Sequence, residues 1–274
     1  MTPQRIIITG ATGGIGRALV REYARPGGEF LLLGRNNKAL NAACDDAEKA
    51  GAKATSANID VTDHDRMEAA LGQFHDDGGV DLLLLSAGVK VGNRDGIEPV
   101  EQLERVLSVN LTASMRHAQA VLPHMQARMK GQIVFFSSLS ALSPQPDLLS
   151  YSASKAALRN YAVALRRSTR GTGVTIHVVT PGFVDTPMTD RHLGHTPMKI
   201  SAERAAKIIR RGLARGRTHI AFPLFLVFLV RLQNLLPPAI ADGFDRAFRA
   251  DIVPDDDERA MIERENGRKD QSQG

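Results

Sequence analysis

Short runs of β-branched and leucine-rich residues alternate along this 274-residue chain with longer amphipathic stretches, and few folds accept that alternation. Seven runs read as strands, at 5–9, 30–33, 54–59, 81–85, 132–137, 174–180 and 218–222. Helical periodicity fills the gaps at 15–24, 37–50, 63–75, 100–129, 152–170 and 202–214. The strands read as apolar throughout, the mark of a parallel sheet covered on both faces by helices. The expected fold is therefore α/β and doubly wound, with seven mainly parallel strands in one domain spanning 1–254. Glycines punctuate it, with Pro26-Gly27-Gly28, Gly51, Gly78-Gly79 and Gly171 to Gly173 ending helices. Residues 255–274 are polar enough to read as a fraying tail.

Composition narrows the class further. Cys44 is the only cysteine, so an intrachain disulfide is impossible, and a reducing, cytoplasmic setting is expected. The strand run begins almost at Met1, and no signal peptide is expected from this sequence. A net charge of +5 includes a basic stretch at Arg204, Lys207, Arg210, Arg211, Arg215 and Arg217, and an acidic patch at Asp255, Asp256, Asp257 and Glu258. Few aromatics interleave with the basic stretch, so it reads as a solvated helix face, and nucleic acid is not an expected partner. The segment 220–236 is unusually apolar but too short to span a bilayer, and it carries Pro223 and Arg231. Two readings stand for it: a last strand with a buried or subunit-facing helix, or peripheral membrane contact.

Directly after the first strand run comes Thr9-Gly10-Ala11-Thr12-Gly13-Gly14-Ile15-Gly16, and a helix pattern follows. A pyrophosphate can rest on a helix N-terminus only where the turn is tight and no Cβ blocks the backbone, so Gly10, Gly14 and Gly16 sit where a Rossmann-type dinucleotide site needs glycine. The second strand run ends Leu33-Gly34-Arg35. A free 2′-hydroxyl is usually held by a carboxylate at this place, whereas a 2′-phosphate needs a cation. Arg35 therefore favours NADP(H), with NAD(H) left open.

Ser137 and Ser138 close the fifth strand run, and Tyr151-Ser-Ala-Ser-Lys155 opens the helix after it. A spacing of four places Tyr151 and Lys155 on one helix face. A phenol titrates near pH 10, and bringing it down by about three units needs about 4 kcal/mol. One ammonium at about 4 Å, with an effective dielectric near 20, supplies that much. Tyr151 is thus the expected proton donor or acceptor, its pKa lowered by Lys155.

These motifs resemble the short-chain dehydrogenase/reductase family over about residues 5–188. The Thr-Gly-three residues-Gly-Ile-Gly pattern matches Thr9 to Gly16, the Tyr-three residues-Lys signature matches Tyr151 and Lys155, and Ser138 stands at the usual distance upstream. The resemblance implies a catalytic tetrad of Asn110, Ser138, Tyr151 and Lys155. Ser138 would polarise the substrate oxygen, Lys155 would also hold the nicotinamide ribose, and Asn110 would anchor a relay water. It further implies cofactor contacts along Thr12 to Gly16, at Asp60 and Val61 for the adenine, at Ser86, Ala87 and Gly88, and at Pro181, Gly182, Val184 and Thr186 beside the nicotinamide. Where the family usually has Asn-Ala-Gly this chain has Ser86-Ala87-Gly88, a shorter hydroxyl that is expected to alter local stability without abolishing activity. Relatives usually assemble as dimers or tetramers, through helices that correspond to 152–170 and 202–214.

Other chemistries lack an anchor. The closest histidine pair, His192 and His195, has too few companions for a metal site, and no Gly-x-Ser-x-Gly elbow is present. Residues 186–201 are long and polar for a compact domain and read as a mobile lid over the substrate. Leu139, Leu148, Leu149, Phe183 and Met188 are expected beside the site, which favours an apolar carbonyl or secondary-alcohol substrate. The alternative is a nucleotide-sensing module on the same fold, which would keep the glycine turn without needing the catalytic side chains.

Overall fold

The structure is a computed structural model that describes residues 4–93, 96–237, 240 and 252–253. In chain order the described residues form β1 (Arg5–Thr9), α1 (Gly14–Tyr23), β2 (Glu29–Gly34), α2 (Asn37–Glu48), β3 (Lys53–Asn58), α3 (His64–Asp76) and β4 (Leu82–Leu85). Next come α4 (Val100–Leu107), α5 (Ala113–Ala127), β5 (Gly131–Phe136), α6 (Leu149–Ser168), β6 (Val174–Pro181), β7 (Val184–Asp185) and α7 (Pro187–Asp190). The series ends with β8 (Ile200–Ser201), α8 (Ala202–Ala214), β9 (His219–Phe222) and α9 (Leu224–Gln233). All seven expected strands are present, and they make one parallel sheet in the order β3-β2-β1-β4-β5-β6-β9. This is the doubly wound Rossmann-type arrangement.

Alternation along the strands explains the two layers. Side chains of a strand point to opposite faces, so Ile6, Ile8, Leu32 and Leu84 pack under α1, α2 and α8, while Ile7, Leu31, Leu33 and Leu83 pack under α3, α5 and α6. Each such side chain contributes about 1.5–3 kcal/mol on burial, and neither face can be left to water. The edge strand β3 differs from the expectation of an apolar strand, since Lys53, Thr55, Ser56 and Asn58 are exposed. Only β2 flanks it, and a polar, lysine-bearing edge discourages further pairing.

Two other expectations need correcting. The helical run 100–129 is interrupted by a π-helical turn at Ser108–Thr112, between α4 and α5, and Asn110 is buried at its centre. The lid 186–201 is not structureless, because Pro187–Asp190 forms a helical turn and Ile200–Ser201 pairs with Val184–Asp185. The last apolar segment divides as β9 and α9, and no described helix is long and apolar enough to cross a membrane. On α8 the apolar residues Ala202, Ala205, Ala206, Ile209 and Leu213 are buried, and Arg204, Lys207, Arg211, Arg215 and Arg217 stay in solvent. The tail 255–274, with its acidic patch, lies outside the described residues.

Candidate active site

Strand order reverses between β1, which leads to β2 on one side, and β4, which leads to β5 on the other. Loops leaving the C-terminal ends of these strands must part there, and the gap is a ligand crevice. A cleft of about 400 Å³ occupies this place and reaches from the glycine turn after β1 to Leu226 and Val230 on α9. Every residue expected to hold a cofactor lines it, from Gly10 to Thr186.

The glycine turn fits a dinucleotide for steric reasons visible here. Gly10 has φ of 70°, the left-handed region, and a Cβ there would lie 2.7 Å from the Ala87 backbone. At Gly16 a Cβ would lie 2.2 Å from the Gly10 carbonyl oxygen, and at Gly14 it would lie 2.4 Å from Thr186 Cγ2. Helix α1 begins at Gly13 with no side-chain cap and no acidic residue in its first turn, in contrast to α2, α3 and α8, which are capped by Asn36, Asp63 and Ser201. Free N–H groups at a positive helix end suit a phosphate. Beside the turn, the Ser86 hydroxyl donates to the Thr9 carbonyl at 2.6 Å, so the shorter side chain ties the end of β4 to β1.

At the adenosine end, Arg35 follows β2 and its Nη1 lies 3.6 Å from Asp60 Oδ2. Burial pushes the Asp60 carboxyl up, but hydrogen bonds from the Thr62 amide and hydroxyl, with the charge of Arg35, hold it below the usual carboxylate range. Asp60 is therefore charged at neutral pH and keeps the guanidinium near the rim of the cleft.

At the other end, Ser138, Tyr151 and Lys155 meet on the cleft wall. Ser138 closes the loop after β5, where its Oγ accepts from the Ser140 amide at 3.2 Å. The Ser137 hydroxyl donates to the Lys155 carbonyl at 2.9 Å, which locks α6 against the end of β5. Ser138 also hydrogen-bonds Tyr151. The Lys155 ammonium donates to the Phe136 carbonyl at 3.0 Å and lies 5.8 Å from the centre of the Tyr151 ring.

Electrostatics here departs from the expectation that Lys155 lowers the phenol. Burial raises the Tyr151 pKa above its ordinary value, and the bond from Ser138 opposes this only in part. Lys155 is itself pushed down to about 8 by desolvation. The pair shares a cleft wall, yet the ammonium spends its bond on a carbonyl and removal from water dominates both groups.

Asn110 does not line the cleft. Its Oδ1 accepts from the Val89 amide at 2.8 Å, and its Nδ2 donates to the Val89 carbonyl at 2.9 Å and to Ser154 Oγ at 3.3 Å. The side chain thus pins the loop 86–90 and links it to α6. Glu98 was not foreseen. Its carboxylate accepts from the Ser150 amide and hydroxyl at 3.1 and 2.9 Å, capping the helix that carries Tyr151 from a loop about fifty positions earlier. Such a cap has no sequence signature, because its partner is distant in the chain.

Apolar neighbours were mostly placed well. Leu139, Leu148, Phe183 and Met188 line the cleft, whereas Leu149 is 44% exposed and does not. Sequence reasoning passed over Lys90, which lies on the cleft beside Phe183 with only 8% of its surface exposed.

Comparison with known proteins places this arrangement. Residues 4–195 match the family model described as short chain dehydrogenase. An uncharacterized oxidoreductase of Myxococcus xanthus is 32% identical over 250 residues, which are 91% of this chain and 99% of that protein. Among solved structures, a short-chain dehydrogenase/reductase from Burkholderia phymatum in complex with NAD superposes with a TM-score of 0.78 at 23% identity, over 85% of this chain and 93% of the other. A short-chain dehydrogenase from Sphingobium yanoikuyae in complex with NADPH gives 0.75 at 23% identity, over 92% and 99%.

Proposed function

The chain belongs to the short-chain dehydrogenase/reductase family, and from that premise we propose that it is an NADP(H)-dependent reductase of apolar carbonyl compounds, or the reverse secondary-alcohol dehydrogenase, with Tyr151 as general acid and base. The observation that carries this reading is the convergence of Ser138, Tyr151 and Lys155 on the same cleft as the glycine turn. A binding module would need the turn alone.

A bound nicotinamide dinucleotide would supply or accept the hydride. Its pyrophosphate suits the uncapped start of α1, and its ribose suits Lys155. Ser138 Oγ would hydrogen-bond a substrate oxygen and so polarise the carbonyl. Tyr151, kept protonated by burial, is ready to give its proton to the developing alkoxide, which favours the reductive direction at neutral pH. Lys155 would stabilise the phenolate left behind.

Cofactor choice rests on Arg35. Solved neighbours carry either NAD or NADPH, and this chain presents a guanidinium at the end of β2. A thermal-shift titration of NADPH against NADH, followed by carbonyl reduction monitored at the reduced nicotinamide's absorbance, tests the reading. Preferential stabilisation by NADH would sink the assignment of Arg35, and loss-free turnover in Tyr151→Phe would sink the mechanism.

We further take residues 1–254 as one catalytic domain with 255–274 as a tail, assembled as a cytoplasmic homodimer or homotetramer through α6 and α8. Light scattering on the purified chain checks the assembly. A second reading attaches to α9, which exposes Leu224, Phe225 and Phe228 while Leu226 and Val230 line the cleft. Such a helix suits peripheral contact with a membrane that stores apolar substrate, and co-sedimentation with liposomes, with and without Phe225→Ser and Phe228→Ser, tests it.

A further inference from the structure

Lys90 stands on the loop after β4, between Val89 and Val91, which pack with Leu148, Tyr151 and Ile252 in one apolar cluster. Its own side chain turns away from that cluster: Nζ lies 3.1 Å from His192 Nδ1, which does not line the cleft, and 5.7 Å from the centre of the Phe183 ring, which does. Lys90 and Phe183 both line the cleft. No carboxylate among the described residues pairs with this amine, and the nearest further charge is the cationic Arg191, whose guanidinium donates to the Lys90 carbonyl at 3.1 Å. An ammonium has three donors and needs a counter-charge when taken from water.

His192 cannot provide that counter-charge. Desolvation and the nearby lysine push its pKa down to about 4, so it is a neutral acceptor at Nδ1. Its Nε2 is buried with no hydrogen-bond partner. One donor of Lys90 is therefore used on a neutral ring, a second direction meets the Phe183 face, and among the described residues no carboxylate balances the charge.

We propose that Lys90 anchors a carboxylate carried by the substrate, at a distance from the carbonyl that Tyr151 protonates, so that the protein acts on oxo acids or hydroxy acids with an apolar body. Lys90 and Phe183 would hold the two ends of such a molecule's anionic half, with Leu148 and Val89 against its chain. This rests on the reductase reading and deepens it by naming the substrate class.

The test uses matched probes: levulinate and its longer medium-chain oxoalkanoate homologues, each beside its methyl ester. Binding is read by thermal shift with NADPH present, and turnover by loss of reduced nicotinamide. The intact protein is expected to favour at least one acid over its ester by ten-fold or more in kcat/KM, with a matching difference in thermal shift. Lys90→Gln, which keeps a donor for His192, and Lys90→Met are both expected to erase that preference, bringing acid and ester to within about three-fold of each other in kcat/KM and removing the difference in thermal shift. Equal treatment of acid and ester by the intact protein, or a preference that survives both substitutions, overturns the proposal. Should no carbonyl be reduced at all, the reductase reading fails, and the thermal-shift arm still decides whether Lys90 selects the anion.

Discussion

The two halves of the cleft are built from different materials. The half we propose for the cofactor is made largely of backbone: a turn at Gly10, N–H groups at the start of α1, and backbone approaches of 2.7 and 2.2 Å that an added Cβ would meet at Gly10 and Gly16. The half we propose for the substrate is made of side chains from the loop after β4, the segment 183–188 and α9, namely Lys90, Phe183, Met188 and Leu226. Backbone sites tolerate no extra atoms because packed interiors cannot shift by an ångström without loss. Side-chain sites can exchange one group for another and change what they recognise. The division suggests why one fold keeps one cofactor class and serves many substrates.

The largest effect should come where the halves meet. Tyr151→Phe removes the proton donor without opening the pocket, so carbonyl reduction should fall by about 10²–10⁴-fold while the NADPH thermal shift is kept. Loss of both signals together would mean that the tyrosine organises the cofactor half as well. Gly16→Ala comes next, because its Cβ meets a backbone oxygen that cannot rotate away. Destabilisation of about 1–3 kcal/mol by denaturant unfolding and a lost NADPH shift are expected, whereas Met188→Ala should leave both nearly intact. Equal damage from the two would erase the contrast between backbone and side-chain construction.

On the side proposed for the cofactor, Arg35→Ala probes a contact made by a side chain. Its removal should raise the KM for NADPH by about ten-fold or more with little change for NADH, since a charge-assisted bond to phosphate is worth about 1.5–3 kcal/mol. The smallest effect concerns pH. Lys90 titrates near 8 in the folded protein against a reference value of 10.5, so the unfolded chain holds the extra proton between those values and stability rises with pH across them. Lys90→Met should therefore raise Tm by a few degrees at pH 7, and the advantage should shrink towards pH 10. Lys155, also near 8, contributes the same slope in both proteins and drops out of the difference. An advantage that grows with pH would contradict a desolvated, protonated Lys90.

Legibility followed distance along the chain. All seven strands of the main sheet, the glycine turn, Arg35 and the Tyr151–Lys155 pair were readable, because each is set by periodicity or by spacing within a few residues. Such features need no knowledge of where the rest of the chain goes. The π turn around Asn110, the cap that Glu98 places on α6, the short β7 and β8 pairing within the lid, and the uncompensated charge of Lys90 beside His192 were not readable. Each depends on partners tens of residues away.

The electrostatics of the catalytic pair makes the same point. Spacing alone placed an ammonium one turn from a phenol and implied a lowered pKa. Burial of both groups, and a Phe136 carbonyl that takes the lysine's hydrogen bond, reversed the sign for Tyr151. Sequence by itself determined the parallel layered sheet and the place of the nucleotide turn, since hydrophobic period and glycine sterics act locally. Tertiary structure alone decided how dry each charge is and which groups face it, because desolvation is a property of everything packed around an atom.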